Sequence, residues 1–136
     1  MGKYDFIKDK HIVPVHKNLS LEYEADYNGK TETIDVRVYP YTVEEKLKFK
    51  NKNDEGSKLM ESKDEKEKEH GIDLVQEATY EAVFDVLKKD DNEITLDHIK
   101  KMPESWLDKI IFKALEFEGI TEEQIKDKSK KDFNKL

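Results

Sequence analysis

The sequence predicts an α+β fold, in which an N-terminal antiparallel β-hairpin packs on a small helical C-terminal half of four to five helices. Three observations lead to this prediction. Apolar residues alternate on both sides of Asn28-Gly29, a capping box begins at Thr42, and apolar residues recur at helical spacing from Ile72 and again from Trp106. With 136 residues, the chain has the length of one ordinary domain.

The hairpin is predicted from the segment NLSLEYEADYNGKTETIDVRVYP, whose centre Asn28-Gly29 favours a two-residue type I′ turn. If Tyr27 pairs with Lys30, three apolar pairs fall on one face of the sheet: Tyr23 with Ile34, Leu21 with Val36, and Leu19 with Val38. Together with a short helix, the hairpin occupies residues 17–50. Residues 1–16 are expected to form a loose N-terminal arm.

The helix after the hairpin is expected to begin at Thr42. In Thr42-Val-Glu-Glu45, the threonine hydroxyl and the Glu45 carboxylate can each accept a hydrogen bond from a free backbone amide. This pattern predicts a short helix over residues 43–52. Residues 51–70 are almost entirely charged or polar, which predicts either a mobile linker or a solvated helical extension.

The helical part is expected to cover residues 71–126. Apolar residues with a helical period run from Ile72 to about Lys89. Thr95 caps a second helix, Pro103 ends or restarts it, and an amphipathic helix then runs from Trp106 until Gly119 stops it. One more helix is expected to start at Thr121, and residues 127–136 form a frayed tail.

Composition and charge restrict the class of function. The net charge of −7 and the single arginine, Arg37, argue against a protein that binds nucleic acid through its phosphates. The charge therefore leads us to expect no nucleic-acid partner. No run approaches the roughly 18 apolar residues of a membrane span, so we expect no membrane partner either. The chain has no cysteine, which excludes disulfides and thiolate sites and is compatible with a cytoplasmic protein.

The sequence offers no catalytic, metal-binding or cofactor-binding motif. No two of the four histidines stand at the spacing of a zincin-type metal site, and the five glycines are too scattered to form a phosphate-binding loop. No serine lies in a Gly-x-Ser-x-Gly turn. We therefore expect a protein that is not an enzyme and that carries no metal and no cofactor.

Two apolar clusters are candidate sites for binding a protein partner. The first contains Tyr39, Tyr41 and Phe49, and the second contains Trp106, Ile110 and Ile111. Apolar residues also crowd the N-terminal arm. For all of them two interpretations stay open: they pack beneath the hairpin and inside the helical half, or part of them forms an exposed apolar patch for a partner.

The order of these elements resembles that of tail-assembly chaperones of long-tailed bacteriophages and prophages. The resemblance rests on a hairpin that ends in RVYPYTVEEKLKFK, on the charged stretch that follows, and on closing helices that contain LDKIIFKALEFEGI. It implies a non-enzymatic protein of the infected host's cytoplasm, which covers the apolar tape-measure protein and brings tail-tube subunits to it.

Two other classes of protein remain open, both without catalysis. A virion structural component, such as a connector or tail-completion subunit, would share the size and acidity and would assemble as a homo-oligomer. An acidic regulatory protein that mimics nucleic acid would explain the negative charge. Such a mimic would separate its carboxylates from its lysines, however, and here the two alternate, as in KDEKEKE.

Overall fold

The fold begins with the β-hairpin, in which β1 (Lys17–Glu24) pairs antiparallel with β2 (Thr31–Val38). A computed structural model describes residues 2–10, 12–13 and 15–119. Within these residues the hairpin is followed by four α-helices: α1 (Val43–Met60), α2 (Glu65–Asp90), α3 (Leu96–Lys100) and α4 (Glu104–Leu115). Of the residues that the structure describes, 61% are helical, counting the 3-10 turns, and 14% are in strands, which confirms the predicted α+β class.

The pairing register of the hairpin differs from the predicted one by two residues. Leu21 lies opposite Ile34 rather than Val36, and Tyr23 lies opposite Glu32. The cause is the turn, because residues 25–30 form a longer connection that contains a 3-10 turn (Ala25–Tyr27) instead of a two-residue type I′ turn. A shift of two residues keeps every side chain on its face of the sheet, so the predicted apolar face is still the one that packs on the helices.

Helix α1 begins as predicted and ends later than predicted. The Glu45 amide donates to the Thr42 hydroxyl at 3.1 Å, and the Thr42 amide donates to the Glu45 carboxylate at 2.9 Å, which confirms the capping box. The helix then continues past residue 52 to Met60, and α2 begins at Glu65. The prediction of a mobile linker over residues 51–70 is therefore wrong, and the alternative of a helical extension describes most of this segment.

Two glycines explain how such a charged segment packs as a pair of helices. Gly56 of α1 and Gly71 of α2 are both buried where the helices meet. A Cβ atom on Gly56 would lie 2.7 Å from the Gly71 carbonyl oxygen, and one on Gly71 would lie 2.5 Å from the Gly56 carbonyl oxygen. The two backbones therefore touch directly, and dispersion contacts between them take the place of a wide apolar stripe.

The hydrophobic core lies between the hairpin and helices α2, α3 and α4. Its members are buried aliphatic side chains from all four elements: Leu21, Val36, Val38, Val83, Val86, Leu87, Ile99, Leu107, Ile110 and Ala114. These residues confirm the stripe predicted for α4 and the later part of the stripe predicted for α2, whereas Ile72 at its start is 51% exposed. Helix α1 contributes no aliphatic side chain to this core, so it depends on its contact with α2.

Ion pairs reinforce the contact between α1 and α2. Asp85 of α2 is 2% exposed, and its carboxylate lies 2.9 Å from Lys48 of α1 and 3.2 Å from Lys88. The Lys89 ammonium lies 2.6 Å from the Glu45 carboxylate and donates to the Pro40 carbonyl oxygen at 3.0 Å. A buried carboxylate with two lysine partners avoids the cost of an unpaired buried charge.

The predicted start and stop signals of the later helices are confirmed as far as the structure describes them. Thr95 forms a capping box with His98 at the start of α3, and Pro103 directly precedes α4. Gly119 adopts the left-handed conformation, with φ of 75°, after a 3-10 turn that follows α4. The helix start at Thr121 and the frayed tail over residues 127–136 lie outside the described residues.

In the described part of the N-terminal arm, Asp5–Lys8 forms a 3-10 turn that has no buried residue. Tyr4 is 65% exposed, and Phe6 and Ile7 are each 49% exposed. The arm joins the hairpin at His16, whose ring lies 5.7 Å from the Tyr39 ring. The interpretation that the arm's apolar residues pack beneath the hairpin is wrong for the side chains that the structure places there, since these are solvent-exposed.

Candidate protein-binding groove

The first predicted site does not form one exposed aromatic strip. Tyr41 is largely buried, and its hydroxyl donates to the Ala82 carbonyl oxygen at 3.1 Å. This burial, together with the nearby carboxylates of Asp85 and Glu45, raises the pKa of the Tyr41 hydroxyl well above its usual range. Tyr41 therefore anchors the end of the hairpin on α2, and the strip is reduced to the half-buried side chains of Tyr39 and Phe49.

The second predicted site is mostly part of the core. Ile110 is fully buried, which corrects its assignment as a partner contact. Trp106 is half-buried, its indole nitrogen donates to the Glu22 carbonyl oxygen at 3.2 Å, and its ring meets Tyr23 edge-on at 6.0 Å. Ile111 is half-buried at the edge of the core. Trp106 thus holds the hairpin against α4. The hydrogen bond also satisfies the indole N–H, which needs an acceptor where the ring is covered.

A different surface contains an open, mainly apolar depression. A groove of about 410 Å³ lies between the middle of α2 and the first half of α4, and we call it the α2–α4 groove. Met60 at the end of α1 and Met102 in the α3–α4 connection contribute to its lining. Its apolar lining consists of Met60, Ile72, Val75, Tyr80, Met102 and Leu107, and its polar lining of Gln76, Thr79, Glu104 and Asp108. Ile72 is 51% exposed, so the groove opens to solvent.

The neutral polar groups of the groove already have partners. The Thr79 hydroxyl donates to the Val75 carbonyl oxygen at 3.1 Å, and the Gln76 amide donates to the Tyr80 hydroxyl at 3.0 Å. The groove therefore offers a ligand mainly apolar contact. The two methionines suit this role, because their flexible thioether side chains adapt to ligands of different shape.

One wall of the groove is acidic. Glu104 and Asp108 are one turn apart on α4, and within the described residues no lysine or arginine lines the groove. Partial burial raises the pKa of the Asp108 carboxyl, and the neighbouring carboxylate of Glu104 raises it further. Ionised Asp108 is therefore destabilised in the free protein, and a cationic group that a ligand places beside it would relieve this cost.

The groove was not predicted because its parts were assigned to other roles. Met60 lies in the charged segment 51–70, and Ile72 belongs to an apolar stripe of helical period, which predicts an inward-facing side chain. One usable signal was the length of the apolar stripe on α2, which runs from Ile72 to Leu87. That span is about 22 Å, whereas α4 covers only about 18 Å. A stripe longer than the helix that covers it leaves apolar surface uncovered.

In the described ranges, no group of three or more His, Asp or Glu side chains converges as a metal site would require. None of the helices there combines the length and the apolar character that crossing a membrane requires. Comparison of the chain with known protein families, with curated proteins and with solved structures finds no match. Inference about function therefore rests on the chemistry of the groove.

Proposed function

We propose that this protein is a non-enzymatic chaperone of phage tail assembly, which covers an apolar helical segment of the tape-measure protein and recruits tail-tube subunits. The observation that carries the proposal is the α2–α4 groove, a solvent-open apolar surface with one acidic wall. The order of the sequence elements, which resembles that of tail-assembly chaperones, supplies the identity of the client.

The dimensions of the groove suit a helix as ligand. Its α2 wall extends from Ile72 to Tyr80, which is about 12 Å, or roughly two helical turns. An amphipathic helix binds such a groove through apolar side chains at positions i, i+3 or i+4, and i+7. The carboxylates of Glu104 and Asp108 favour a helix that carries lysine or arginine beside these apolar positions.

The charge of the whole chain supports the same role. A long helical client with an uncovered apolar stripe aggregates unless that stripe is bound. A chaperone of net charge −7 gives the complex a strong charge of one sign, and the resulting repulsion keeps the complexes apart in solution.

Co-expression with the tape-measure protein tests this proposal. We expect the wild-type chain to keep the tape-measure protein soluble and to copurify with it. Ile72→Asp places a charge in the groove at a half-exposed position, so the fold should persist while the apparent affinity for the client falls by at least about tenfold.

Val43→Asp is the matched control, since Val43 is 70% exposed at the start of α1 and lies outside the groove. This variant should retain wild-type binding. The proposal fails if the wild-type chain neither solubilises nor copurifies with the tape-measure protein. The assignment of the groove fails if Ile72→Asp binds this client as tightly as Val43→Asp does.

A further inference from the structure

We propose that the N-terminal arm of one copy of this protein binds in the α2–α4 groove of a second copy, with reciprocal exchange of arms in a two-fold dimer. The groove is the one invoked by the proposed function, and the inference therefore rests on that site. It requires no property of the tape-measure protein, so the two can be tested separately.

The arm carries exposed apolar side chains that match the apolar lining of the groove. Tyr4, Phe6 and Ile7 are large and solvent-exposed, and the 3-10 turn over Asp5–Lys8 holds them close together. The Ile7 amide donates to the Tyr4 carbonyl oxygen at 3.0 Å, which fixes this local geometry. A preformed turn loses less conformational entropy on binding than an extended segment does.

The charges of the arm and the groove are complementary. Residues 2–10 contain three lysines and two aspartates, a net charge of +1, while the whole chain carries −7. Lys8 is the last residue of the 3-10 turn and Lys10 lies two residues later, and the groove has apolar lining beside the carboxylates of Glu104 and Asp108. With Phe6 and Ile7 against the apolar lining, these lysines come within reach of the acidic wall.

The arm lies outside the groove of its own chain, because Tyr4, Phe6 and Ile7 are solvent-exposed and none of them lines the groove. The arm leaves the body at His16 beside Tyr39, and the adjacent Pro40 carbonyl oxygen accepts a hydrogen bond from Lys89, at the C-terminal end of α2. The groove lies around Gln76, about 20 Å away along the same helix. Two copies side by side in antiparallel orientation bring each arm to the groove of the other, which is the arrangement of a closed two-fold dimer.

Sedimentation equilibrium of the full chain alone tests the self-association, over concentrations from about 1 μM to about 1 mM. We expect a monomer–dimer equilibrium. Phe6→Ser/Ile7→Ser should raise the dimer dissociation constant by at least about tenfold. The control Val43→Ser/Leu47→Ser removes two exposed apolar side chains from α1 and should leave the constant unchanged.

Charge variants identify the two surfaces that meet. Lys8→Glu/Lys10→Glu gives an acidic arm with an acidic groove, and Glu104→Lys/Asp108→Lys gives a basic arm with a basic groove. Each variant alone should dimerise about tenfold more weakly than wild type. An equimolar mixture should recover association, because each arm then meets a groove of opposite charge.

The inference is overturned if the wild-type chain is monomeric at every concentration. This holds even if the arm of that monomer occupies its own groove. It is also overturned if Phe6→Ser/Ile7→Ser dimerises like wild type, or if the mixed charge variants associate no better than each one alone. None of these measurements contains the tape-measure protein. A failed co-expression therefore counts against the proposed function, and a failed dimerisation counts against this inference.

Discussion

Replacing Gly71 with alanine is expected to lower the free energy of unfolding by about 3 kcal/mol. The new Cβ atom would lie 2.5 Å from the Gly56 carbonyl oxygen and 2.8 Å from the Met60 amide nitrogen. Both are backbone atoms, which cannot rotate away. Alanine favours a helix over glycine by about 1 kcal/mol, so the steric cost exceeds the gain in propensity. Urea unfolding monitored by circular dichroism measures the difference.

Ser57→Ala is the control for this substitution. Ser57 is exposed on α1 next to Gly56, so its replacement should change stability by less than about 0.5 kcal/mol. If Gly71→Ala proves as stable as Ser57→Ala, the direct contact of the two helix backbones is absent. The packing of α1 on α2 would then need another explanation.

Replacing Ile110 with alanine is expected to lower the free energy of unfolding by about 3 kcal/mol or more, since Ile110 is fully buried in the core. The variant should bind the client normally at temperatures where it is folded, because Ile110 lies outside the groove. Thermal unfolding and copurification with the tape-measure protein measure the two effects separately.

The neighbouring substitution Ile111→Ala supplies the comparison. Ile111 is half-buried at the edge of the core, so its truncation should cost less stability than that of Ile110. A stable Ile110→Ala variant that no longer binds the client would contradict the structure and restore Ile110 as a contact residue.

The hairpin shows which features of this fold can be predicted from sequence. The alternation of apolar residues fixes the face that packs on the helices, because side chains alternate strictly along a strand. It does not fix the register, since every shift by two residues preserves the alternation. The register depends on the turn, where Asp26 and Tyr27 adopt positive φ angles of 52° and 55° although neither is glycine.

The helical pair α1–α2 shows a limit of reasoning from composition. Residues 51–70 lack an apolar stripe, and their composition therefore predicts a linker as readily as a helix. The packing depends on Gly56 and Gly71, and each is a single glycine in a charged context. Their importance comes from their meeting across two helices, which no local pattern in one helix reveals.

The candidate site was harder to predict than the fold. Ile110 and Ile111 are adjacent apolar residues of one stripe, and which of them is covered more completely depends on how α2 and the hairpin pack against α4. The groove combines Met60, Met102 and residues of α2 and α4 that are distant in sequence. Periodicity predicts that a residue faces the interior, but it does not predict where two covering elements leave a gap between them.

The most direct test of the groove as the client-binding site uses the methyl groups of methionine. The chain has three methionines, and two of them, Met60 and Met102, line the groove. With ¹³C-labelled methionine methyls, titration with a soluble helical fragment of the tape-measure protein should shift the NMR signals of both residues. A complex that forms, as shown by co-elution, while both signals stay unchanged would contradict binding in the groove.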